Sequence, residues 1–244
     1  MAEIIFEVCA NSLQSAIAAQ EGGADRIELC TDLQVGGLTP SAAEIKLTVQ
    51  NLKIPVFVLI RPRSGDFLYS KQEFEIMKED ILYAKSCGAA GVVFGILNPA
   101  AEIDIDRCAE LVNIAKPMQT TFHRAFDRVM NFSSALEDVI KTGAQRILTS
   151  GLSENAADGT EILKKITTLA DNRISIMAGG GINPQNVTGI ILKTGVSEVH
   201  TSCSVDLQSN MDPETNRTAF KSVCKNTVTD VEIVKKIVNA IKQI

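Results

Sequence analysis

Only two histidines occur in the sequence, His123 and His200, and each stands at the end of a short apolar run, MQTTF at 118–122 and SEV at 197–199. Imidazole in such a place gives or takes a proton near neutral pH, or binds a metal as the neutral ring. One histidine of this kind is readily structural; two of two form a pattern. Arg124 and Asp127 follow His123, and Arg61 and Arg63 flank Pro62 directly after PVFVLI at 55–60. A guanidinium fork matches a carboxylate or phosphate bidentately, although Glu7 and Glu28, each inside an apolar run, could equally be the arginines' ion-pair partners. The same two carboxylates, set beside His123 or His200, could hold a divalent metal or act as acid and base.

Two further groups carry possible chemistry. Gly179, Gly180 and Gly181 follow RISIMA at 173–178, and Ser202 closes another apolar run. Bare backbone N–H groups suit an anion, and three glycines exceed what a tight turn of positive φ requires. Cys9 and Cys30 end two successive apolar runs. If those runs are neighbouring strands, ~4.8 Å apart, the thiolates can bind a soft ion such as Cu(I) in an S–Cu–S arrangement. The alternative is a pair of small buried hydrophobes, the common role of free cysteine. Cys87, Cys108 and Cys224 fall in helical patterns and read as packing residues, with Cys203 open between the two roles.

The elements that must position these residues follow from a repeated phrase: amphipathic helix, glycine, short polar link, apolar strand. It occurs at 16–30 (AIAAQEGGADRIELC), 81–95 (ILYAKSCGAAGVVFG), 136–150 (LEDVIKTGAQRILTS) and 189–202 (GIILKTGVSEVHTS). Glycine suits a helix C-cap, where the chain turns left-handed without steric cost. These phrases supply strands two, four, six and eight. The odd strands fall at 3–8, 55–60, 118–122 and 173–178. Helices occupy about 12–20, 41–51, 71–87, 104–115, 132–142, 158–170, 184–194 and 229–243, with Pro40-Ser41 and Asn183-Pro184 as helix starts. Eight strands alternating with eight helices predict a parallel sheet, and 244 residues match the length of one closed (β/α)8 barrel. A doubly wound open sheet is the rival, disfavoured because no GxGxxG follows the first strand. No compositional break divides the chain, so one barrel domain over 1–244 is expected. In such a barrel the strand C-termini gather all the residues above at one mouth, and the Gly- and Pro-containing connections 31–40 and 61–70 should cover it.

Composition narrows the functional classes. The chain carries a net charge of −5 and no basic run, which argues against nucleic acid and anionic membrane as partners. No apolar stretch reaches the length of a membrane span, and the first residues do not read as a signal peptide. No cysteine pair has CxxC spacing. A cytoplasmic protein with reduced thiols is expected. Aromatics are 5% and tryptophan is absent, so the core must be aliphatic.

Taken together, EVCANSLQSAIAAQEGGADRIELC, GGLTPS, IRPRSGDFLYS, GVVFG, TFHRAFD, LTSG, MAGGGI and EVHTSC resemble the CutC family of copper homeostasis proteins, in order and over nearly the whole chain. The resemblance implies a (β/α)8 barrel, a cytoplasmic location, self-association into dimers or tetramers, and copper handling through Cys9 and Cys30. The residues within IRPR and HRAFD are hard cations and carboxylates. They look like an enzyme site for a small phosphorylated or carboxylated metabolite, with Arg61, Arg63, Arg124 and Gly179–Gly181 holding the anion and His123, His200, Glu28 and Asp127 moving protons. Two departures stand out: Ser64 where the family usually has Gly, and Ala100-Ala101 in place of the usual Asp-Gly.

Overall fold

Each helix–glycine–strand phrase folds as its local chemistry dictates. The four phrase glycines Gly23, Gly88, Gly143 and Gly195 all sit at positive φ, between 72° and 94°, turning the chain from helix into strand. The strands that follow are buried along almost their whole length, as parallel strands covered on both faces must be. In this computed structural model, which describes residues 4–208 and 225–244, eight parallel strands close into a barrel in chain order. They are β1 (Ile5–Ala10), β2 (Arg26–Leu29), β3 (Val56–Leu59), β4 (Gly91–Phe94), β5 (Gln119–Phe122), β6 (Arg146–Thr149), β7 (Ser175–Gly179) and β8 (Glu198–Thr201). Closure is made by β1, which pairs with β2 on one side and β8 on the other, so that Glu7 faces Arg26 and His200 across its two ladders.

The helices are α1 (Leu13–Gly22), α2 (Ala42–Asn51), α3 (Lys71–Ser86), α4 (Ile105–Ala115), α5 (Phe132–Thr142), α6 (Thr160–Ala170), α7 (Val187–Thr194) and α8 (Val231–Ile241). Their starts are set by side-chain caps. Ser41 accepts the Glu44 N–H, and Ser70 with Glu73 forms a reciprocal capping box on α3. Helix α7 begins three residues later than its Pro184 start predicts. Asn183 accepts from the N–H groups of Gln185 and Asn186, which makes a turn ahead of the helix. Strand β1 runs two residues further than expected, which puts Cys9 inside the strand.

Packing follows the strand alternation. Outward residues such as Val8, Ile27, Leu29, Val58 and Ile147 join the helices in the aliphatic core. Inward residues fill the barrel in layers. The lower layer is charged: Glu7, Arg26, Arg146 and Glu198 are all buried. Arg26 bridges Glu7 and Glu198, and Arg146 meets the same Glu198 at 2.5 Å. Both guanidinium groups stack on Phe57, 4.8 and 5.4 Å from its ring centre. This layer plugs the bottom of the barrel.

After β8 the chain adds a hairpin that sequence reading leaves unassigned, β9 (Ser204–Gln208) antiparallel to β10 (Lys225–Thr229). Thr227 and Thr229 tie it to Asn11 and Ser15 at the start of α1. Cys108 is buried in α4 and Cys87 caps α3; Cys224 lies outside the described residues. Among the described residues no helix is long and apolar enough to cross a membrane.

Candidate functional site at the barrel mouth

A cavity of about 1440 Å³ opens at the C-terminal ends of the strands. The two long connections roof it. Arg61, at the end of β3, donates to the carbonyls of Val35 and Gly37 in one connection and of Gly65 in the other, so its guanidinium staples the roof together. Its Nε is buried without a partner among the described residues. Arg63 points away from the cavity. It binds Glu73, Asp66 and the Leu68 carbonyl and stacks on Tyr69, which braces the second connection.

On the β1–β2–β8 side the strand register brings together what the sequence separates. Cys9 pairs with Glu28 across β1 and β2, and Glu7 with His200 across β1 and β8. The Cys9 and Cys30 sulfurs lie 3.4 Å apart, and Cys9 donates to Glu28 Oε1 at 3.5 Å. His200 holds Glu7 Oε1 through Nδ1 at 2.8 Å. Cys9, Glu28 and His200 each offer a ligand atom within 4.8 Å of the others.

The electrostatics of this corner are set by burial and by charge placement. Burial alone would raise Glu7, but Arg26 and His200 overcome it and hold Glu7 down at about 2. Glu28 lacks such a cation in contact. Burial pushes it up to about 7, with His200 opposing and Glu7 adding, and its Oε2 has no partner among the described residues. Burial opposes charge on His200, yet Cys9 and the two glutamates raise it well above the usual imidazole range. Its shared hydrogen bond with Cys30 and its burial keep the Cys9 thiol protonated well above the usual range. Without a metal the corner therefore holds the protonated Cys9 thiol and an imidazolium beside a glutamate that titrates near neutrality.

The β5–β7 side is organised differently. His123 is 6% exposed and accepts the Ala125 N–H on Nδ1 at 3.2 Å. Burial and then Arg61 push its pKa down to about 3, so the ring is neutral and, with Nδ1 accepting, carries its proton on Nε2. That Nε2 is buried without a partner among the described residues. Gly95 makes room for the ring: a Cβ there would lie 2.6 Å from Nδ1. Asp127 accepts from Arg124 Nε, Thr149 Oγ1, the Ser150 N–H and hydroxyl, and the Leu152 N–H. With its oxygens so occupied, Asp127 acts on Arg124 as a positioning group.

Gly179 belongs to the barrel wall, where a Cβ would strike Leu148 at 2.5 Å. Gly180 and Gly181, at φ of 102° and 68°, turn over the mouth. Ser202 lines the cavity and pairs with Ser204. Cys203 also lines it, but burial pushes its thiol up to about 12. Lys236 of α8 reaches the same edge. Sequence reading misses it, because nothing in the α8 pattern marks which lysine faces the barrel.

The fold and mouth define a closed parallel barrel with a thiol–carboxyl–imidazole corner. The family model for the CutC family matches residues 4–205, and the chain belongs to that family. It is 46% identical over 207 residues to the human "Copper homeostasis protein cutC homolog", covering 85% of this chain and 76% of that protein. The mouse homologue is 43% identical over 242 residues, 97% of this chain and 89% of its own. A crystal structure of a CutC protein from Streptococcus agalactiae superposes with a TM-score of 0.78 at 35% identity, covering 82% of this chain and 98% of that one.

Proposed function

We propose that the protein serves copper homeostasis by binding Cu(I) at the Cys9–Cys30 corner of the barrel mouth. The observation that carries this reading is the pair of buried sulfurs 3.4 Å apart, with Glu28 and His200 beside them. Thiolates are the soft ligands that select Cu(I), and the hard donors nearby are too few to build an oxygen-rich site for Mg²⁺ or Ca²⁺. The corner also fits the ion in charge. Binding displaces the thiol protons. Glu28, whose Oε2 is unpartnered and whose Oε1 already accepts from Cys9, is placed to receive one. Glu7 anchors the His200 ring through Nδ1, the arrangement by which an outer carboxylate orients a metal-site histidine.

Cys9 lines the cavity, whereas Cys30 is fully buried behind it under Gly37. The ion is therefore cargo that enters through the mouth, meets Cys9 first and is completed by Cys30. Anaerobic titration of the reduced protein against a chromophoric Cu(I) chelator tests this. One Cu(I) bound per chain, with affinity falling by at least about a hundredfold in the Cys9→Ser, Cys30→Ser double variant, is expected; the loss of two thiolate ligands is worth several times the roughly 1.4 kcal/mol of each decade. Undiminished affinity in the double variant would remove the proposal.

A further inference from the structure

The wall opposite the thiols has a separate set of unmet donors. Asp127 and Ser150 hold Arg124 by Nε and Nη2, and the carbonyls of Ser153 and Glu154 take the rest of Nη2. Nη1 makes no hydrogen bond among the described residues. It lies against Gly180, where a Cβ would sit 3.2 Å from it. Gly180 and Gly181 turn the chain at successive positive φ, and among the described residues the N–H groups of Gly181 and Ile182 have no acceptor, which leaves bare backbone donors of the kind that suits an anion. The Gly180 carbonyl is tied back by the Ala156 N–H at 2.8 Å, which fixes the turn. Lys236 adds an ammonium to this edge, unpaired among the described residues.

An independent observation points the same way. His123, on the same cavity, presents an Nε2–H that is buried and, among the described residues, unpartnered. A buried donor left unmade costs about 1–3 kcal/mol, so the ring is built to meet an acceptor that the protein does not supply. Phe67 packs 4.8 Å from it and denies it water from that side.

We propose that this wall binds a small phosphate monoester, with the phosphoryl oxygens on the Gly181 and Ile182 N–H groups and Arg124 Nη1 and an oxygen of the organic part on His123 Nε2–H. The site shares the cavity with the thiol corner but none of its residues, so it stands whether or not copper binds.

Calorimetric titration of the copper-free protein at fixed ionic strength tests it, using inorganic phosphate and glycerol 3-phosphate as probes and glycerol as the uncharged control. Both phosphates should bind and glycerol should not. Arg124→Gln should weaken both by about tenfold, the worth of one charge-assisted hydrogen bond. His123→Phe should weaken glycerol 3-phosphate while sparing inorganic phosphate. Lys236→Gln, on the exposed side of α8, keeps the test independent of folding and should weaken both severalfold. Arg173→Gln, far from the mouth in an ion pair with Glu137, should change neither. The proposal is overturned if neither phosphate binds at tens of millimolar, or if binding is indifferent to both Arg124→Gln and Lys236→Gln. Equal affinity for the two probes, unmoved by His123→Phe, would restrict the site to free phosphate and overturn the assignment of an ester.

Discussion

The floor and the rim of this barrel are built from the same strands, two residues apart, and they behave in opposite ways. Glu7, Arg26 and Glu198 belong to the floor; Cys9, Glu28 and His200 stand one pleat above them. On the floor each charge meets an opposite charge, and Phe57 fills the space between the guanidinium groups. On the rim, polar atoms are buried without partners among the described residues: Glu28 Oε2, Arg61 Nε and His123 Nε2. A satisfied network specifies structure, whereas an unsatisfied one is a standing demand for a ligand. Structural pairing and the proposed binding are thus separated by one step of the strand alternation. Glu7 is the link, since one oxygen holds Arg26 and the other holds His200.

Breaking the floor should cost most. Glu198→Ala leaves Arg26 and Arg146 short of a shared partner, and removing one member of a buried ion network costs about 3–5 kcal/mol. Denaturant unfolding should show this loss, while Cys9→Ser with Cys30→Ser should change stability by no more than about 1 kcal/mol and remove copper binding. A floor variant that unfolds no more easily than wild type would dissolve the distinction.

The rim has its own pH signature through His123. Its folded pKa, about 3, lies below the ordinary value of 6.5, so the unfolded chain binds the proton more readily. The neutral ring's contribution is complete above pH 6.5 and is lost as pH falls from there toward 3. It amounts to at most about 5 kcal/mol. Unfolding measured across this range should fall less steeply for His123→Asn than for wild type; parallel curves would mean that the ring is not held neutral.

The smallest expected effect tests a departure from the family pattern. Ala101, where the resemblance to the family leads one to expect glycine, adopts φ of 58°. A left-handed alanine costs about 1–2 kcal/mol, partly offset by the entropy that glycine loses on folding. Ala101→Gly should stabilise the protein by about 0.5–1 kcal/mol without altering either binding wall. Ser64, the other departure, carries no such strain.

What the sequence reveals divides along the same line. The barrel is legible because each strand is announced by a local phrase and a glycine cap. The thiol pair, Glu28 and the histidines are legible as strand-end residues, because the fold brings all strand ends to one mouth. The floor is not, although Arg26, Glu28 and Cys30 already show the inward period of two. Its partners lie 19 to 172 residues apart, on strands that meet only in the folded barrel. Nor can sequence show which arginines are spent. Arg61 and Arg63 look alike beside Pro62, yet one staples the roof and the other braces a single loop. The unmet donor of Arg124 and the saturation of Asp127 likewise depend on loops that meet only in the folded chain.

X-ray absorption at the copper edge of the Cu(I)-loaded protein addresses the thiol corner most directly. A first shell containing two sulfur scatterers, lost in the Cys9→Ser, Cys30→Ser variant, is the predicted result. A shell of nitrogen and oxygen alone would contradict it.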